Sequence, residues 1–280
     1  MSGEGYRVGM AQTLVEGGRP DLNLGRAADA VREAAAAGCR LVVLPECLDC
    51  GWTDPSARAL AHPIPGPHAD VLAAAARENR VYVAAGLVER AGGRLYNAAI
   101  LIGPDGRILL HHRKVNELDI ALDLYAIGDR LGVAETELGT LGLAVCADNF
   151  GSSLAVGHVL ARMGAQVILS PSAWAVDTDH DNARDPYGKL WLDSYTELAR
   201  LYDVTVVGVS NVGPMAGGPW AGRRCIGCSL AVGPGGTVLA RGPYGSDAAA
   251  VVPVDVTPRP PVARGTGFAD ALAARGYRGG

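Results

Sequence analysis

The stretch Gly142-Leu143-Ala144-Val145-Cys146-Ala147-Asp148-Asn149 constrains this 280-residue chain more than any other. Leu141 to Val145 is a short apolar run of buried-strand character that stops at a cysteine. Gly151-Ser152-Ser153 then supply turn and helix-cap residues, and Val156, Val159, Leu160 and Met163 recur at helical spacing. A cysteine on such a strand-to-helix bend is held from below and open to solvent from above. It also lies near the positive end of a helix, where thiolate is favoured over thiol. Cys146 is therefore a candidate nucleophile, with a buried core cysteine as the alternative.

The rest of the chain supplies the frame for such a bend. Tyr6 to Gln12 predicts an opening strand, followed by a helix from about Leu22 with Leu24, Ala27, Ala28, Val31 and Ala35 on one face and Gly38 as its stop. Leu41 to Leu44 is a second buried strand, ended by Pro45, and the three elements make a β-α-β unit. A helix over His68 to Asn79 feeds a strand from Val81 to Leu87. Tyr96 to Ile102 and Ile108 to Arg113 flank the turn Gly103-Pro104-Asp105-Gly106, so the sheet is mixed. Beyond Cys146 the pattern gives a helix over Leu154 to Met163 and a strand over Val167 to Leu169. A polar loop from Ala175 to Pro186, a helix over Lys189 to Tyr202 and a strand over Val204 to Ser210 come next. The Gly-rich stretch Gly213 to Gly222 reads as a mobile lid, and it lacks the Gly-Lys-Ser/Thr ending of a phosphate loop. Two strands around Pro234-Gly235-Gly236, a last strand over Val251 to Val256 and a loosely held tail complete the chain. No linker or repeat divides it, so the expectation is one α/β domain over residues 1–280, with two sheets covered by helices.

Composition narrows the classes of function. Hydrophobic residues make up 49% and charged residues 19%, enough for a large core. The net charge of −4 and the lack of a Lys/Arg run argue against nucleic acid as a partner. Met1 to Tyr6 is no secretory signal, and no apolar run approaches the ~20 residues that span a bilayer. A cytoplasmic protein is expected, its six cysteines reduced. Cys47/Cys50 and Cys225/Cys228 resemble zinc half-sites, yet no compact spacing links them. His62, His68, His158 and His180 form no ligand spacing either, so no metal is expected.

Three ionisable residues end buried-looking strands. Glu46 follows Leu41-Val42-Val43-Leu44-Pro45, Lys114 follows Ile108 to Arg113, and Cys146 follows Leu141 to Val145. Each points toward a crevice at a strand's C-terminal edge, where α/β proteins place ligands. With Leu44-Pro45-Glu46, His112-Arg113-Lys114 and Val145-Cys146-Ala147-Asp148, the sequence resembles the nitrilase superfamily, the carbon–nitrogen hydrolases. Tyr96-Asn97, Ser170 to Trp174, Val207 to Asn211 and Gly227 to Ser229 before Pro234-Gly235-Gly236 support the match, in order along nearly the whole chain.

The resemblance implies a four-layer α-β-β-α sandwich with two mixed β-sheets, paired through helices into a homodimer or larger homo-oligomer, and no cofactor. It implies that Cys146 is the nucleophile, Glu46 the general base and then acid, and Lys114 the cation facing the tetrahedral oxyanion, with the N–H of Ala147 as a second donor. Carboxylate and thiol chemistry agree: a carboxylate can accept the thiol proton, pass it to the leaving amine, and activate water against the thioester. A free thiol has a pKa of about 8.5, so either Lys114 and the helix start raise the thiolate fraction or Glu46 takes the proton during attack. Family members commonly carry a second glutamate several residues after the lysine, where Ala121 and Leu122 stand here. Glu117 is the candidate substitute, with Asp119 and Asp123 behind it.

Other residues divide between site and scaffold. His111 and His112 are expected at a surface strand end, and Asp148 and Asn149 at the start of the following helix, Asn149 also being a candidate substrate contact. Trp174 either walls the pocket or packs in the core. Asp177, Asp179 and Asp181 favour a cationic substrate, whereas Arg223 and Arg224 favour a carboxylate. The leading expectation is hydrolysis of a non-peptide C–N bond in a small linear amide or N-carbamoyl compound, releasing ammonia through a Cys146 thioester. Nitrile hydrolysis and a catalytically idle scaffold are the alternatives.

Overall fold

The computed structural model describes residues 4–278. Its first unit is β1 (Tyr6–Gln12), α1 (Pro20–Ala36) and β2 (Leu41–Val43). Pro20 opens α1, where its missing N–H sacrifices no helical hydrogen bond, and Leu24, Ala27 and Val31 form the buried stripe. A short α2 (Ala57–Leu60) and α3 (Pro67–Asn79) lead to β3 (Tyr82–Ala91), β4 (Arg94–Ile102) and β5 (Ile108–Arg113). β3 runs past Leu87 into a turn at Gly92-Gly93, both residues at positive φ, so a hairpin precedes the one at Gly103 to Gly106.

The second half contains β6 (Val133–Thr136), β7 (Gly139–Leu143), α4 (Ala155–Met163), β8 (Val167–Ser172), β9 (Ala175–Val176) and α5 (Lys189–Tyr202). It continues with β10 (Thr205–Ser210), β11 (Val212–Pro214), β12 (Arg224–Ile226), β13 (Leu230–Gly233), β14 (Thr237–Arg241), β15 (Ala250–Val256) and α6 (Phe268–Ala274).

These strands build two six-stranded mixed sheets, in the orders β15-β1-β2-β3-β4-β5 and β14-β13-β10-β8-β7-β6. Each has three parallel strands, β1-β2-β3 and β7-β8-β10, flanked by antiparallel ones. The sheets face each other, β1 against β10, β3 against β8 and β4 against β7. Strand alternation divides the apolar residues: Leu41, Val43 and Ala84 enter the core between the sheets, whereas Val42, Leu44 and Val83 pack outward with residues of α1 and α3. α4 and α5 cover the second sheet, so the layers are α-β-β-α, as the resemblance implies. The parallel strands are buried on both faces, which is why they are continuous apolar runs in the sequence.

Two expectations are corrected, the lid and the loose tail. Gly213 to Gly222 is not a free lid. It closes the hairpin of β11 and β12, with Met215 N–H donating to the Arg223 carbonyl and Gly222 N–H to that of Met215. That hairpin adds β9 to make a small third sheet whose strands, two or three residues long, carry no readable periodicity. The C-terminal tail is docked as well: Leu272 is buried and Arg275 pairs with Asp203 at 3.0 Å.

Gly86 marks the point where β3 meets the loop after β2. Its N–H donates to the Pro45 carbonyl, its own carbonyl accepts the Leu48 N–H, and a Cβ there would lie 2.5 Å from the Glu46 Cα. Backbone cannot yield as a side chain does, so Gly86→Ala is expected to lower stability by about 1–3 kcal/mol in urea unfolding. An unchanged midpoint would show that the Glu46 loop has slack.

Candidate active site

Cys146 is reached along β7 and an extended Ala144-Val145, and its own backbone turns into the left-handed region at φ +44. A non-glycine residue held there costs on the order of 1–3 kcal/mol, and it persists because the surroundings fix it. Two short 3₁₀ turns, Cys146–Asn149 and Gly151–Ser153, separate the cysteine from α4. The nucleophile candidate is thus not at a helix N-terminus, nor is it open: it is 8% exposed. Burial, followed by the negative charge of Glu46, pushes its thiol well up, against the opposing pull of Lys114 and of an N–H from Ala173. Cys146 rests as a thiol.

Asp148 fixes this turn. Its carboxylate accepts the N–H groups of Val145 (2.9 Å), Val115 (3.0 Å) and Asn116 (2.7 Å) and pairs with His112 Nε2 at 2.8 Å. Burial opposes its ionisation, but His112 and these N–H groups hold its pKa below the usual value. Asn116 Nδ2 donates to the Ala147 carbonyl at 2.7 Å, and Ser153 Oγ does so at 2.6 Å. The segment after Lys114 is thereby stapled to the segment after Cys146. His112 is a buried partner of Asp148, not a surface residue. His111 pairs with Glu89 at the strand end.

Glu46 enters from the other sheet, its N–H donating to the carbonyl of Ser172 at the end of β8. Its Oε1 accepts Lys114 Nζ at 2.7 Å and Asn97 Nδ2 at 2.6 Å. Its Oε2 is buried without a partner, and its negative charge is one of the causes that push the Cys146 thiol up. Lys114 follows β5, with its N–H on the Asn97 carbonyl and its own carbonyl taking the Gly128 N–H. Burial alone would lower the Lys114 pKa, but Glu46, Glu117 and Cys146 outweigh it and keep the ammonium charged. Glu46, Lys114 and Cys146, far apart in sequence, meet as expected.

Of the three acids considered beyond Lys114, Glu117 alone turns inward. Its Oε2 is 3.6 Å from Lys114 Nζ, and Asp119 and Asp123 are exposed. Burial, partly offset by Lys114, raises the Glu117 pKa to about 7.

A family model described as carbon-nitrogen hydrolase matches residues 8–258. This chain belongs to that family. An omega-amidase NIT2 from Danio rerio is 33% identical over 183 residues, covering 62% of this chain and 65% of the relative. The human omega-amidase NIT2 is 30% identical over the same shares. The match thus spans slightly under two thirds of these curated relatives. A carbon-nitrogen hydrolase from Helicobacter pylori G27 has the same fold, with TM-score 0.79 and 23% identity over 90% of this chain and 89% of its own. An amidase from Nesterenkonia sp. superposes with TM-score 0.73 and 22% identity, covering 91% and 90%.

Within this family member, Asn149 faces inward: its Nδ2 donates to the Ala144 carbonyl and to Ser170 Oγ. Trp174 lies in the core, stacked on Trp191 with ring centroids 4.8 Å apart. Asp177 and Arg223, which argued for opposite substrate charges, pair with each other at 2.8 Å. Asp49, Cys50 and His68 form the one grouping of metal-ligand type among the described residues. There Asp49 already accepts the Val88 N–H at 3.0 Å and pairs with His68 Nδ1 at 2.8 Å. Sequence reasoning passed over Asn97, Ala173 and the clamping role of Asp148. Asn97 and Asp148 stood inside the matched segments, but their partners are long-range; an N–H from Ala173 leaves no trace in residue type.

A carboxyl whose folded pKa lies above its unfolded value costs nothing at low pH and destabilises increasingly as pH rises from about 4.5 to 7. Glu117→Gln should therefore match the parent protein in unfolding stability at pH 4 and exceed it at pH 8 by about 2–3 kcal/mol. Equal stability at pH 8 would place the Glu117 carboxyl in a fully compensated environment.

Proposed function

We propose that this protein hydrolyses the C–N bond of a small linear amide or N-carbamoyl compound through a thioester on Cys146. The observation that carries this reading is the meeting of three buried groups: Glu46 Oε1 accepts from Lys114 and Asn97, its Oε2 has no partner, and its charge acts on the Cys146 thiol. The omega-amidase relatives support an amide over a nitrile.

In the first half-reaction Glu46 takes the Cys146 proton as the sulfur bonds to the carbonyl carbon and the C=O electron pair moves to oxygen. A buried thiol makes this concerted transfer necessary, since free thiolate is scarce. The Lys114 ammonium and the Ala147 N–H face the oxyanion, where one such donor is worth about 3 kcal/mol. Glu46 then protonates the nitrogen, ammonia departs, and the thioester remains. In the second half-reaction Glu46 draws a proton from water as the hydroxyl adds to the thioester carbon. The thiol regains a proton, and the acid leaves. Glu117 sets the charge around Lys114: its ionisation adds a negative charge beside both Lys114 and Glu46 and weakens oxyanion stabilisation.

The same reading takes the chain as one hydrolase domain, whose core draws on both sheets. It places the protein in a reducing, cytoplasmic compartment, supported by six free cysteines and by no helix among the described residues being long and apolar enough to cross a membrane. It also pairs copies through α4, where Val159 and Met163, four residues apart on one face, are 43% and 39% exposed. Replacing both with Glu is expected to convert the assembly to monomer in light scattering, and a parent protein already monomeric would discard the pairing.

The catalytic test follows ammonia release from a panel of short linear amides. Cys146→Ala and Glu46→Gln should each abolish turnover, Lys114→Ala should lower kcat about 10²–10³-fold, and the parent protein acid-quenched during turnover should carry an acyl adduct on Cys146 in intact-mass spectra. Undiminished ammonia release by Cys146→Ala would reject the covalent route.

A further inference from the structure

A narrow cleft adjoins the site between the Gly17 and Gly51 turns, the segment Trp52 to Asp54, and the β11–β12 hairpin at Met215 to Gly217. Its volume is about 20 Å³, room for one water-sized or ammonium-sized group. Two features connect it to the catalytic residues. The Trp52 ring lies 5.9 Å from Lys114 Nζ, and Cys225 on the cleft wall has its thiol pushed up to about 12 by burial, with the Glu46 charge adding to it.

The lining is unusual in what it leaves open. Asp54 Oδ1 accepts the Ser56 N–H at 3.0 Å, and its Oδ2 is turned toward Gly17 and Gly217. A Cβ on Gly17 would lie 2.2 Å from that oxygen and one on Gly217 would lie 2.7 Å from it, so any larger residue at either position would fill the space the carboxylate faces. Asn211 and Trp52 also line the cleft, residues only 5% and 7% exposed whose Oδ1 and Nε1 atoms are buried without partners. A polar group buried unpaired is costly, and a ligand that pairs with it recovers that cost. Two of these three groups are acceptors, one of them a carboxylate. The lining includes neither Lys nor Arg, and the nearest hairpin cation, Arg223, is held by Asp177.

We propose that this cleft is a specificity subsite for the positively charged end of the substrate, a protonated amine received by Asp54 and the Asn211 carbonyl. The proposal rests on the amidase reading above and narrows it to short amides that carry an amino group at the far end. A carboxylate-ended amide would meet Asp54 with like charge and find no cation to receive it.

Three probes of matched length decide it: an ω-amino amide, its neutral methyl-ended isostere and the ω-carboxylate amide. Calorimetric binding to Cys146→Ala runs beside ammonia release by the parent protein. The amino amide should bind at least about tenfold more tightly than the neutral isostere, and its kcat/KM advantage should lie in KM. Asp54→Asn keeps the acceptor for the Ser56 N–H and should erase that ratio, which does not depend on the fraction of protein folded. A neutral or carboxylate probe binding as well as the amino amide, or an unchanged ratio in Asp54→Asn, would overturn the subsite. Amine-selective binding without ammonia release from any probe would keep the subsite and sink the hydrolase reading instead.

Discussion

The buried Lys114–Glu46 pair is the constraint around which the rest of the molecule is arranged. Both side chains are at most 1% exposed, and a lone charge in that position would be untenable. Desolvation of two ions is offset only where geometry is good and the remaining lone pairs are satisfied. Asn97 supplies a further hydrogen bond, and Glu117 adds a second acid that titrates near neutrality instead of forcing a permanent third charge. Asp148 and His112 form a second buried pair, whose carboxylate also accepts three backbone N–H groups. Glu46 Oε2, like both Glu117 oxygens and Asn97 Oδ1, is buried without a partner, and the Glu46 charge acts on the Cys146 thiol.

Bringing these groups together is what the sandwich does. The parallel strands of both sheets deliver their C-terminal ends to the same region, Glu46 after β2 in one sheet, Cys146 after β7 and Ala173 after β8 in the other. The backbone bond from Glu46 to Ser172 ties the two sheets together at that edge. A buried, poorly ionised cysteine follows from the same enclosure. Dryness strengthens the field of Lys114, and it also denies the sulfur a resting charge, so the proposed reaction needs its base adjacent to its nucleophile.

Elements buried on both faces were legible because their sequences are uniformly apolar: Leu41 to Leu44, Leu141 to Val145 and Val167 to Leu169 could hardly be anything else. The ionisable residues closing those runs were legible for the same reason, as abrupt changes of polarity. What stayed hidden depends on contacts distant in sequence. His112 looked like a surface residue because its partner Asp148 lies 36 positions away, and the third sheet forms only when β9 meets β12 across an intervening helix. The supposed helix start at Asp148 failed because its carboxylate is spent on the Lys114 loop, leaving two 3₁₀ turns before α4 begins.

Glu117 shows how a displaced residue can reach a required place. Ala121 and Leu122 stand where the family pattern suggests a second acid. Ala121 packs beside Tyr125 in an apolar cluster, and Leu122 is 46% exposed. The chain leaves β5, is caught by Asp148 at Val115 and Asn116, and so turns residue 117 back toward the ammonium three positions earlier. The acid's position is therefore set by the clamp and not by its sequence spacing from Lys114. Asp148 thus governs two things at once, the strained turn that carries the thiol and the loop that carries the second carboxyl. A change in the clamp would move the sulfur and the charge around Lys114 together.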